Sequence, residues 1–167
     1  KGQREHICIL DQDTIILNPC FKELIKLSSQ YFFISNRWDP GNIFSKCKNP
    51  LPELGMARAI FWFSKRSIFE DNNLYPTCDY RDAWGNITYF AQQNNHEFLI
   101  LKNSYRDRFR SDNGLWKEHV LNINHGYSEQ AWVDNIPLVF HYGRGGYRKL
   151  EDLEKWIEET ENYLKNN

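Results

Sequence analysis

Two carboxylates stand two positions apart at Asp11 and Asp13, between the apolar runs 6–10 and 15–17. If these runs make one buried strand, side chains two positions apart leave the same face, and both acids reach a single hard divalent cation that bridges to a phosphate ligand. A solvated strand end carries the same pair with no ligand at all, so D-x-D alone does not separate the two readings. A second segment with chemical potential is 141–149, which holds three glycines together with Arg144, Arg148 and Lys149. It reads as a mobile lid whose cations contact phosphate oxygens. A solvated loop before a helix is the plain alternative.

The elements that must position these groups follow from hydrophobic periodicity. The strand carrying the acids is followed by Asn18 as a helix N-cap and Pro19 at the first helical position, with Phe21, Leu24, Ile25 and Leu27 as the apolar stripe. A strand is expected at 31–34, then a long irregular loop over 38–53 that contains Pro40, Gly41, Pro50 and Pro52. The dense apolar run 59–63 predicts a strand, and Ser64 is placed to cap a short helix through Phe69. Ala83, Ile87, Phe90 and Ala91 predict a helix over 80–94, with a strand at 97–101. Residues 102–130 are polar and carry no clear assignment. A last strand at 137–140 precedes an acidic amphipathic helix marked by Leu150, Leu153, Ile157 and Leu164. The alternation predicts one α/β domain over 1–167, a mixed sheet flanked by helices.

Composition narrows the classes. The chain has 167 residues, 21 Lys and Arg against 22 Asp and Glu, and a formal charge of −1. That balance argues against a nucleic-acid binder, which needs excess cations to displace phosphate counterions. No apolar stretch approaches the ~20 residues of a transmembrane helix. The polar lead before His6 does not read as a secretory signal. Four singly spaced cysteines, Cys8, Cys20, Cys47 and Cys78, make neither a zinc pattern nor a disulfide framework, so a reducing, cytoplasmic setting is expected. The sequon Asn86-Ile87-Thr88 falls inside a predicted helix and carries little weight.

The segment Ile9-Leu10-Asp11-Gln12-Asp13-Thr14-Ile15-Ile16-Leu17-Asn18-Pro19 resembles the D-x-D strand of GT-A-fold glycosyltransferases of the family-2 type, followed as in that family by a helix and a strand. The run from Gly55 to Glu70 is similar to the family's acceptor-side strand and the short helix after it. The resemblance implies a metal-dependent enzyme that moves a sugar from a nucleotide-sugar donor to a hydroxyl of a carbohydrate or glycoconjugate acceptor. It implies Mn²⁺ or Mg²⁺ on Asp13, with Asp11 direct or through water, and His141 where some members place a late metal-binding histidine. Asp79-Tyr80-Arg81-Asp82-Ala83-Trp84 occupies the place of the catalytic carboxylate, which makes Asp82, or else Asp79, the general base. Arg144, Arg148 and Lys149 would then meet the diphosphate. Trp38, next to Asp39, and Trp84, two residues after Asp82, are the expected sugar-stacking rings among six tryptophans, most of which should simply fill the core.

Only ten residues precede Asp11, so the N-terminal βαβ half that holds the nucleotide in GT-A enzymes is expected to be missing, or to lie in the rest of a larger polypeptide. Two other readings compete. Haloacid-dehalogenase-like phosphatases also place D-x-D after an early strand, but their threonine or valine two residues beyond the second Asp is Ile15 here. The other is a non-catalytic carbohydrate-binding remnant.

Overall fold

The computed structural model describes residues 4–11, 13–39, 56–76, 84–106, 128–141 and 150–166. Among them it is a mixed α/β protein with two four-stranded sheets and four helices. The chain divides into two compact units, one made of Lys1–Leu10 and Phe21–Leu101, the other of Asp11–Cys20 and Lys102–Asn167.

The first unit holds strands β1 (His6–Leu10), β3 (Ile34–Asp39), β4 (Met56–Lys65) and β5 (Leu99–Ile100), in the order β1-β4-β3-β5. The β1–β4 and β3–β4 pairs are antiparallel and β3–β5 is parallel. Helices α1 (Phe21–Leu27), α2 (Ser67–Asp71) and α3 (Gly85–Gln93) belong to the same unit. Its core is aromatic: Trp62 of β4 stacks on Phe33 with centroids 4.0 Å apart and on Trp84 at 4.5 Å. Ile87 and Ala91 of α3 close over this cluster. Each large side chain buried there contributes roughly 1.5–3 kcal/mol through removal of apolar area from water.

One polar residue in this core explains a break in the ladder. The β3–β4 register shifts between Ser35 and Arg37, and the buried Asn36 Oδ1 accepts from the Ile60 and Phe61 backbone N–H groups at 3.1 and 3.2 Å. The side chain replaces the partners that the bulge removes. Two helix ends are also readable: α2 and α3 stop on Asn73 (φ 50°) and Asn95 (φ 54°). Leu74 N–H donates to the Phe69 carbonyl and His96 N–H to the Ala91 carbonyl. These are Schellman closures with asparagine at the left-handed position.

The second unit holds β2 (Thr14–Ile16), β6 (Lys102–Arg106), β7 (Ser128–Val133) and β8 (Ile136–His141), ordered β2-β8-β7-β6 with every pair antiparallel. Asp134-Asn135 joins β7 to β8, and Asp134 has the positive φ (54°) that a two-residue hairpin requires at its first central position. Leu17, Ile15 and Phe140 share one face, on which Tyr163 of helix α4 (Leu150–Asn166) packs.

Several local expectations need correction. Residues 6–17 are not one strand: β1 and β2 are separate strands of different sheets, so the acids lie in the connection between them. Asn18 does not cap α1; its Nδ2 donates to the Pro137 carbonyl at 2.7 Å, tying the end of β2 to β8. Ser64 lies inside β4, where its hydroxyl meets Trp62 Nε1 at 3.3 Å, and α2 begins after Arg66 with no side-chain cap. The 31–34 strand begins only at Ile34 and continues to Asp39, which places Trp38 on β3. The unassigned 102–130 region contributes β6 and the start of β7. Thr88 of the sequon is buried, bonded to the Trp84 carbonyl and the Ala57 N–H.

Candidate metal centre

The site is built within the second unit, at the turn that leads into β2. Thr14 N–H donates to the Asp11 carbonyl at 3.0 Å, which closes a tight turn and fixes both aspartates relative to the start of β2. Thr14 is paired with His141, the last residue of β8, in the β2–β8 ladder. A residue directly opposite on an antiparallel neighbour shares its face, so the imidazole is delivered beside the turn although it lies 128 positions from Asp13.

The resulting geometry is compact. His141 Nε2 is hydrogen-bonded to Asp13 Oδ1 at 2.9 Å and lies 3.9 Å from Asp11 Oδ2. One donor atom from each of Asp11, Asp13 and His141 falls within 4.8 Å of the others. The side chains are graded in exposure, 8% for His141, 30% for Asp13 and 53% for Asp11, so the group is anchored at the imidazole and open at the acids. Behind the ring, Oε2 of the buried Glu129 lies 3.9 Å from His141 Nδ1.

These donors fit a divalent cation. Neighbouring ligands of an octahedral ion bound at ~2.1 Å are roughly 3 Å apart, comparable to the Nε2–Oδ1 separation. Two carboxylates suit Mg²⁺ or Mn²⁺, whereas an imidazole suits a softer transition metal; the mixed set therefore favours Mn²⁺ over Mg²⁺. The separation of the acids onto a turn does not prevent their convergence, because the turn closure does what the strand periodicity was expected to do.

The remaining candidates divide in two. Trp84 is a buried core ring, 7% exposed and stacked on Trp62, which corrects its expected role as a sugar-stacking surface: its packing serves the first unit's core. Trp38 is on β3, and its side chain lies outside the described residues, as do Asp79, Asp82, Arg144, Arg148 and Lys149. Among the described residues no helix is long and apolar enough to cross a membrane. Glu129 was missed because it falls in the polar stretch without periodicity. The signal that could have found it is the Asp-Asn turn flanked by apolar residues, which predicts a hairpin pairing β7 with the strand that ends at His141.

No family model, curated protein or solved structure matches the chain.

Proposed function

We propose that the chain carries the cation- and diphosphate-binding part of a metal-dependent glycosyltransferase, which moves a sugar from a nucleotide-sugar donor to an acceptor hydroxyl. The observation that supports this reading is the convergence of donor atoms of Asp11, Asp13 and His141 to within 4.8 Å of one another. A GT-A-like arrangement of the elements belongs to the same proposal. A bound Mn²⁺ or Mg²⁺ supplies Lewis-acid neutralisation of the diphosphate leaving group. The chain's own residues do the rest. Without a cation, a hydrogen bond keeps His141 Nε2 and Asp13 Oδ1 2.9 Å apart, a contact that a shared cation would replace, and Asp11 is the more exposed of the two acids. Asp82, with Asp79 as the alternative, would accept the acceptor hydroxyl proton, and Arg144, Arg148 or Lys149 would clamp diphosphate oxygens; these assignments rest on the sequence alone.

Calorimetric titration with nucleoside diphosphates, with and without Mn²⁺, tests the reading. Nucleotide binding that requires Mn²⁺ is expected. Binding that ignores the metal, or no binding in its presence, contradicts it.

A further inference from the structure

Glu129 is a carboxylate in an unusual place: it lies on β7 with its side chain 2% exposed, directly opposite His141 in the β7–β8 ladder. Direct opposition puts the two side chains on one sheet face, and Oε2 stands 3.9 Å from Nδ1 of the imidazole, close enough for charge to act but beyond hydrogen-bond distance. The other ring nitrogen, Nε2, is the one directed at Asp13 and Asp11. Burying a carboxylate is costly unless a complementary group faces it.

We propose that Glu129 is a positioning residue, whose charge beside Nδ1 favours the His141 tautomer that carries its proton there, so that a bare Nε2 is presented beside the two aspartates; the inference rests on the reading of that trio as a cation site. A ligating histidine commonly directs its second ring nitrogen at a carboxylate, which fixes the ring and makes it a better donor. Here the sheet register supplies that carboxylate from the adjacent strand. Gln at this position keeps the size and hydrogen-bonding capacity of the side chain and removes only its charge, so a role limited to packing predicts no change.

The test compares the wild-type chain with E129Q by Mn²⁺ titration and by the metal-free ¹⁵N imidazole spectrum of His141. E129Q is expected to raise the Mn²⁺ Kd about 10–100-fold, with the melting midpoint little altered and the His141 Nδ1 resonance displaced. An unchanged Nδ1 resonance overturns the positioning role, whatever the titration shows. If the wild-type chain takes up no Mn²⁺, the cation site itself falls, and the Nδ1 resonance alone decides whether Glu129 sets the tautomer of the ring. Should E129Q fail to fold, E129D carries the same comparison: a wild-type resonance and affinity despite the shortened, retracted carboxylate overturns the role, and displacement of both supports it.

Discussion

Replacing Asp13 by Ala separates a binding role from a structural one. Asp13 Oδ1 makes the 2.9 Å contact with His141 Nε2, and its side chain is 30% exposed. Deleting it removes that hydrogen bond, worth about 1 kcal/mol, part of which water restores at such a site. For a chain of this size 1 kcal/mol moves the melting midpoint by roughly 2–4 °C, so the thermal shift should stay within that range. The cost to cation binding is far larger. Residues that merely support a ligand are worth about 10–100-fold in affinity, so loss of a direct carboxylate donor should cost at least ~100-fold, or about 2.8 kcal/mol. Circular dichroism melts and Mn²⁺ calorimetry on D13A read the two quantities separately. Retained affinity, within about threefold of wild type, would refute the reasoning, and so would a fall of the melting midpoint beyond ~10 °C, which would make Asp13 a structural residue.

Three further outcomes follow from the fold. Asn36→Ala leaves the Ile60 and Phe61 N–H groups at the bulge without their buried acceptor and should destabilise by about 2–4 kcal/mol, measured by urea unfolding; a loss below ~0.5 kcal/mol would remove Asn36 from that role. Asn95→Val forces a β-branched residue into a left-handed conformation and should cost roughly 1–2 kcal/mol, whereas Asn95→Gly should be neutral or stabilising in the same assay. Partial desolvation on β1 pushes the Cys8 thiol up to about 11 from 9.0 although the residue reaches solvent, so its alkylation rate should still be rising between pH 9 and pH 11, where an ordinary thiol has levelled off. The same shift means the unfolded chain ionises first, and stability conferred by the neutral thiol is lost as pH rises from about 9 through 11.

The candidate site was partly legible in the sequence because its residues end apolar runs. Asp11 follows the run that becomes β1, and His141 ends the run that becomes β8. What brings them together was not legible. Nothing between Leu10 and Thr14 marks a break, since no glycine or proline interrupts the segment, and the division into two strands is decided by long-range pairing of Cys8 with Phe63 and of Ile15 with Phe140. Glu129 and Gln130 are buried on a strand that reads as polar, so hydropathy points away from the burial that the neighbouring strands impose. Trp84 misled for the opposite reason. An acid nearby in sequence implied a surface, while the ring itself found Trp62.

The proposed function depends on an imidazole and two carboxylates sharing one cation. Pulsed electron paramagnetic resonance on the full chain loaded with Mn²⁺ measures this most directly, because nitrogen coupled to the manganese can be seen and assigned by substitution. The expected result is one tightly held Mn²⁺ with a single imidazole nitrogen coupling that disappears in His141→Ala. Manganese that stays free in solution, or binds with no nitrogen coupling, would contradict it.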